Sequence, residues 1–351
     1  MRGTLKTAVI AATLIAFQSA SASAQIQDLT IKFIGQSSIE ANSSLLEKPF
    51  FPKFTERSGG KIKVDLQPFN TLGLNGTEIL RLMKTGTLEW ASNGLTFLSG
   101  DRPEFEGCDL AGITTNLADG YKACSAYRET LAKLMAENWN VKLLNLFPAG
   151  PPQVIFCRVP IKSLADLRGK KVRLFNKTLT DFVEGAGGTG VTIPMADVVP
   201  AMQRGVADCA ITGSFNGNIA GWPEVTPHML GITLGWALQY SAVNLDTWNK
   251  LNPATQKFLQ EQFLELEKDA WTRVAVKTGT EGKTCNIGGE CTLGKKFNIQ
   301  WTDPSAEDEK ERLRIMRESV VPRWAKRCGA KCAENWNATV GKVVNLVAPT
   351  N

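Results

Sequence analysis

The chain has 351 residues, eight cysteines, one histidine and a formal charge of +6. A surplus that mild, with no Lys/Arg-dense run interleaved with aromatics, argues against nucleic acid as a partner and supports only modest attraction for anionic solutes. The length predicts about two domains.

The first 24 residues carry an export pattern. Arg2 and Lys6 form a short basic region, residues 8–17 are apolar, and Ala22-Ser23-Ala24 offers small residues for cleavage after Ala24. The apolar run falls short of the roughly 20 residues needed to span a bilayer. A cleaved signal peptide is therefore expected over a retained anchor, which places residues 25–351 outside the cytoplasmic membrane. An even number of cysteines fits an oxidising compartment. Proximity pairs Cys285 with Cys291 and Cys328 with Cys332, then Cys108 with Cys124, leaving Cys157 with Cys209. A zinc site is disfavoured, since no pair has C-x-x-C spacing and His228 is the lone histidine.

In chain order, residues 30–34 read as a strand and 43–58 as a helix with Leu45, Leu46, Phe50 and Phe54 inward. Residues 62–66 alternate as a second strand. A helix over 76–84 presents Ile79, Leu80 and Met83 on one face. That rhythm predicts an α/β sheet with crossover helices. It restarts after the Pro/Gly cluster at 148–152, the expected domain crossing. Strands then fall at 154–157, 171–175, 191–193 and 208–212, and helices at 179–185 and 197–204. Ser163 and Asp166 open a short helical turn. Residues 253–276 read as one long helix, because Leu259, Phe263, Leu266, Ala270 and Val274 form a continuous stripe. A charged amphipathic helix is expected at 307–324.

Three features that mimic catalytic signatures do not carry chemistry. Residues 185–190 satisfy G-x-G-x-x-G, but a helix precedes them and a strand follows, the reverse of a dinucleotide site. They read as a helix C-cap and tight return. His228 has no partner pattern for nucleophilic catalysis, and residues 213–217 are not G-x-S-x-G. Glu104 and Glu106 are expected on a solvated face. Arg173 is more informative: mid-strand between Val172 and Leu174, it lies on a solvated face or aims into a cleft, where its planar fork would grip a carboxylate.

Several ordered segments resemble the periplasmic solute-binding proteins of TRAP transporters, the DctP-type family. They are residues 67–73 with Gly76-Thr77-Glu78, then Leu167-Arg168-Gly169-Lys170-Lys171-Val172-Arg173, Val191-Thr192-Ile193-Pro194 and residues 197–208. The resemblance implies an α/β, two-lobed periplasmic-binding-protein (Venus-flytrap) architecture with a long lobe-bridging helix. Lobe I is expected at 25–149 plus 237–277, and lobe II at 150–236 plus 278–351, with a disulfide-bearing C-terminal segment. Arg173 becomes the carboxylate clamp. Thr212 falls on the strand end facing the ligand, in a stretch through Phe215 and Asn216 that departs from the commoner forms. A second clamp arginine of some members aligns near Gln153. The remaining walls are expected from Gln36, Ser37, Asn70, Asn93, Phe97, Phe175, Asn176 and Trp236, with Phe97, Phe215 and Trp236 pointing to an apolar or aromatic ligand body. The implied partners are a small organic carboxylate and TRAP membrane permease subunits, with a monomeric receptor, no cofactor, no required metal and no turnover. A receptor feeding a sensor kinase or another transporter, and an exported hydrolase or lyase, are the alternatives.

Overall fold

The computed structural model describes residues 25–100 and 102–350, so the expected signal peptide lies outside the described residues. Two sheets organise the chain. The first has order β2-β1-β3-β10-β4 and the second β11-β9-β5-β8-β6-β7. In the first, β1 (Leu29–Gly35) pairs in parallel with β2 (Ile62–Pro68) and β3 (Trp90–Gly94). There, β10 (Gln239–Asn244) runs antiparallel between β3 and β4 (Val141–Phe147). In the second, β6 (Lys171–Leu174) lies parallel between β7 (Thr189–Thr192) and β8 (Cys209–Gly213). Antiparallel β5 (Gln153–Cys157) joins β8 to β9 (His228–Leu230), and β11 (Gln300–Thr302) closes the edge.

Two of the chain's passages between the sheets, at residues 148–152 and 231–238, hold each other. Ala149 N donates to Trp236 O at 3.0 Å, and Gln153 N to Gly235 O at 2.8 Å. Ala237 has φ 51° and Gly235 φ 131°, a backbone that non-glycine residues rarely adopt and that marks the crossing as built under constraint. Asp109 holds it in place, accepting from Trp236 N at 3.0 Å. The Pro/Gly cluster thus carries the chain from β4 in the first sheet to β5 in the second.

The long helix runs further than its periodicity predicts. Pro253–Asp269 continues through a π-helical turn, Ala270–Val274, into Ala275–Thr284. Its stripe is buried as expected, Leu259, Phe263 and Leu266 completely. The first half lies on β4, where Asn145 Nδ2 donates to Phe263 O and Trp271 Nε1 to Leu146 O. The second half reaches the other sheet, where Asn286 Nδ2, just past the helix end, donates to Ser214 O. At the contact sits Gly282, whose added Cβ would lie 2.7 Å from the backbone N of Phe215. Alanine normally gains about 1 kcal/mol over glycine inside a helix. Here the clash with fixed backbone should win, and Gly282→Ala is expected to cost about 1–3 kcal/mol in urea unfolding. Wild-type stability in that variant would contradict the close approach.

The four disulfides pair as proximity predicts. Residues 185–190 end the helix Lys177–Gly185 and lead into β7, with Gly187 at φ 82°, so they form a return. The predicted helix at 43–58 forms as a helical run, a π-helical turn Ser43–Glu47 followed by Lys48–Phe50 and Pro52–Arg57, irregular where Pro49 and Pro52 lack N–H donors. The C-terminal helices touch both halves of the molecule. Trp324 Nε1 donates to Pro103 O and Trp336 Nε1 to Gly107 O, while Arg327 pairs with Asp181 at 2.6 Å. Among the described residues no helix is long and apolar enough to cross a membrane.

Candidate functional site

Arg173 sits mid-β6 between Val191 of β7 and Ala210 of β8, and only 3% of it is exposed. Its Nε donates to Ile193 O at 2.8 Å and its Nη1 to Ile211 O at 3.0 Å. The guanidinium lies 5.3 Å from the Trp222 ring and 5.6 Å from that of Phe175. No carboxylate among the described residues comes within ion-pairing distance of it. Burial pushes its pKa down to about 10, still charged at neutral pH. A buried cation held by carbonyl dipoles and aromatic faces alone is costly unless an anion completes it.

A cavity of about 400 Å³ is lined by Ser38 and Ile39, which follow β1, and by Met195, Ala196, Val199, Ile219 and Ala220 of the segments that follow β7 and β8. It therefore lies between the two halves, and Met195 is two residues past Ile193, whose carbonyl accepts from Arg173. Around the crossings several buried side chains have one polar atom without a protein partner: Gln36 Nε2, Asn42 Oδ1, Gln153 Oε1, Asn216 Oδ1 and Trp222 Nε1. Gln153 opens β5, and Thr212 lies buried on β8 opposite Val154. Asn216 Nδ2 reaches Ala149 O at 3.3 Å, and Asn42 Nδ2 reaches the neighbouring Pro148 O at 2.8 Å.

Other predicted wall residues are engaged elsewhere. Asn176 Oδ1 accepts from Leu179 N at 2.8 Å, capping the helix Lys177–Gly185. Asn70 accepts from Ser38 N at 2.9 Å in an exposed turn. Asn93 Nδ2 donates to Gly76 O at 2.6 Å, opposite Tyr240. The Trp236 ring covers Gly120 and its Nε1 donates to Thr114 Oγ1 at 2.9 Å, so it stiffens the crossing. Phe215 packs against Gly294 in the loop after the long helix. Phe97, 40% exposed, lies over Gly76. These three aromatics are held by packing, as large aromatics usually are.

Several acids are buried where sequence reasoning did not place them. Glu47 accepts from Gln36 N at 2.9 Å and from Ser92 Oγ. Glu40 accepts from Gln239 Nε2 at 2.8 Å. Glu106, expected on a solvated face, is 5% exposed and accepts from Lys177 N and Thr178 N at 3.1 and 3.2 Å. It caps the helix that follows β6, a contact 71 and 72 residues away that local polarity does not reveal. Burial raises Glu47, Glu106 and Asp109 to about 7 each. Their folded forms bind protons more tightly than the unfolded chain, where carboxyls titrate near 4. Stability should thus fall as pH rises from about 4.5 to 7 and level off above. Acids depressed in the fold, such as Asp303 and Asp308, act only below that window. Urea midpoints across pH 5–8 test this, with a shallower slope expected for Glu47→Gln and a rising curve contradicting it.

Comparison with known proteins agrees with this geometry. Residues 41–284 match the family described as bacterial extracellular solute-binding protein, family 7 (DctP). The chain belongs to that family. This family 7 protein is 25% identical over 202 residues to the 2,3-diketo-L-gulonate-binding periplasmic protein YiaO of Escherichia coli, covering 57% of this chain and 60% of the relative. It is 24% identical over 238 residues to the uncharacterized protein YiiZ of Salmonella typhimurium, covering 64% of this chain and 69% of that one. Its fold matches the crystal structure of DctP7, a Bordetella pertussis extracytoplasmic solute receptor binding pyroglutamic acid. That match has a TM-score of 0.77 at 17% identity and covers 90% of this chain and 99% of that one. The two-lobed α/β architecture is thereby shown.

Proposed function

We propose that this protein is the solute receptor of a TRAP-type transporter, capturing a small organic carboxylate between its lobes and delivering it to membrane permease subunits. The carrying observation is Arg173: a buried guanidinium, oriented by two carbonyls, with no carboxylate among the described residues to neutralise it. The ligands named for YiaO and DctP7 are both acids, which supports the reading. The bodies that close are 25–149 plus 237–277 and 150–236 plus 278–351, with the tail bridging them. Ligand contacts made from both sides favour the closed form, shifting a pre-existing equilibrium. The mature receptor starts after Ala24, works as a monomer outside the cytoplasmic membrane and turns nothing over.

Thermal shift of the mature protein against a panel of carboxylates tests this. A hundredfold excess over the dissociation constant should stabilise by about 2.7 kcal/mol. The shift should appear with one class of acid and vanish in Arg173→Ala. A shift that survives loss of Arg173, or one produced by neutral solutes alone, would defeat the carboxylate reading.

A further inference from the structure

One short segment, residues 108–120, grips the crossing at 231–238. Gly112 N donates to Leu234 O at 3.3 Å, Thr114 Oγ1 accepts from Trp236 Nε1 at 2.9 Å, and the Trp236 ring lies over Gly120. Asp109, flanked by the buried Cys108 and Leu110, is the centre of that grip. Both its carboxylate oxygens accept from Trp236 N, at 3.0 and 3.1 Å, and the amides of Ala237 and Leu238 also donate toward it. Gly235 leaves the carboxylate room, since an added Cβ there would lie 2.9 Å from Asp109 Oδ1. Cys108 is bonded to Cys124 of the helix Leu117–Trp139, which packs on β4, so the grip is anchored to the first sheet.

The backbone so held is the constrained part of the crossing, Gly235 at φ 131° and Ala237 at φ 51°. An alanine stays in that region only where its surroundings fix it. The same stretch is tied to the other crossing, Leu234 N donating to Gln153 O at 2.9 Å, and to the residue after β3, Leu95 N donating to Leu238 O at 2.8 Å. A swing of the halves has to be absorbed by torsions of the segments that pass between them. Whatever fixes residues 235–238 therefore limits that swing.

Resting on the receptor reading above, we propose that Asp109 is a positioning residue for capture. By gathering the amides of 236–238 onto one carboxyl group it clamps the second crossing and sets how far the halves open, without touching ligand.

Protonation gives the clamp a signature. Desolvation raises Asp109 to about 7, whereas a released, solvated carboxyl titrates near 4, so protonation favours the clamped form. The clamp should be firm below about pH 4 and loosen as pH rises through 7. Residues 234–238 bring no titratable side chain. On its own segment Asp109 meets Glu106, which raises it further and itself faces Arg327 at 4.0 Å and Asp181. From the C-terminal helices Arg312 Nη1 donates to Gly112 O.

Hydrogen exchange and a pulsed-EPR distance test this on ligand-free mature protein. Nitroxides are attached through an unnatural amino acid at Leu72 and Val206, exposed positions in the two halves. In Asp109→Ala the amides of 149, 153 and 234–238 should exchange at least tenfold faster, with β1 and β6 unchanged and the distance distribution broadened. In Asp109→Asn, which keeps an acceptor and carries no charge, protection should persist. Wild-type protection at 236–238, corrected for intrinsic rates, should fall at least tenfold from pH 5 to 7.5, and Asp109→Asn should lose most of that slope. Unchanged exchange or unchanged distances in Asp109→Ala would overturn the proposal. Faster exchange spread equally over β1 and β6 would also overturn it, since that is a merely structural role. If Asp109→Ala fails to fold, a flat wild-type profile, or a slope kept in Asp109→Asn, overturns it instead. No ligand enters these readouts, so the receptor reading stands or falls separately, on the carboxylate panel with Arg173→Ala.

Discussion

Arg173→Lys should weaken binding of the recognised acid by at least about a hundredfold. Positive charge is retained in that variant, so a surface attraction would barely change. In this site the guanidinium already spends Nε on Ile193 O and Nη1 on Ile211 O, and those bonds fix the orientation of the fork. Lysine offers one ammonium, which cannot span both carbonyls and a carboxylate at once. Truncating one partner of a buried ion pair typically costs about 3–5 kcal/mol, and about 1.4 kcal/mol is a factor of ten in affinity. The substitution should also create a pH dependence. Arginine stays charged even when burial pushes it down to about 10, so wild-type binding should be flat from pH 6 to 9. A buried lysine titrates lower and is neutral above its shifted pKa, so residual binding should fade as pH rises. Calorimetry on both proteins at three pH values decides the matter. Equal affinities at neutral pH, or parallel pH profiles, would remove Arg173 from the centre of recognition.

The parts of the fold legible in the sequence were those with strong local patterns. The apolar stripe from Leu259 to Val274 announced the long helix, and the Pro/Gly cluster at 148–152 announced the crossing. What stayed unread lacked periodicity for a physical reason. β3 is Trp-Ala-Ser-Asn-Gly and buried throughout, so it shows no alternation. Its polar side chains bond to distant partners, Ser92 to Glu47 and Asn93 Nδ2 to Gly76 O. β10, set between β3 and β4, follows the second crossing; no local signal tells a chain to switch sheets there, and only the family resemblance put a lobe boundary at 236/237.

The site divides similarly. Arg173 stood out because a charge mid-strand between Val172 and Leu174 is unusual, and the family resemblance gave it a role. Trp222, Asn42 and Glu40 reach the same region from segments scattered over 183 positions, and each alone is an ordinary loop or helix-start residue. The rings of Phe215 and Trp236 pack against Gly294 and Gly120, where the missing side chains make room for them.

Replacing Cys157 and Cys209 together by alanine should cost about 4 kcal/mol of stability while leaving ligand affinity within a fewfold of wild type. The bond closes a loop with a sequence separation of 52, between the roughly 15-residue loop worth about 3 kcal/mol and the 100-residue loop worth about 4.7. The separation is only 4 for Cys328–Cys332, so its removal should cost about half as much. Affinity should be spared because of where the bond lies. Cys157 and Cys209 are register partners at one end of the β5–β8 pair, and Gln153 and Gly213 are partners at the other. Three intervening rungs, Phe156–Ala210 and Ile155–Ile211 among them, hold the register partner and the carbonyl acceptor of Arg173 after the bond is cut. Urea unfolding of the two double-alanine variants, with calorimetry alongside, separates the cases. A smaller loss at Cys157/Cys209 than at Cys328/Cys332 would mean that packing of β5 against β8, not loop closure, sets the stability of the second lobe. A large loss of affinity would mean that the far end of the ladder positions the site after all.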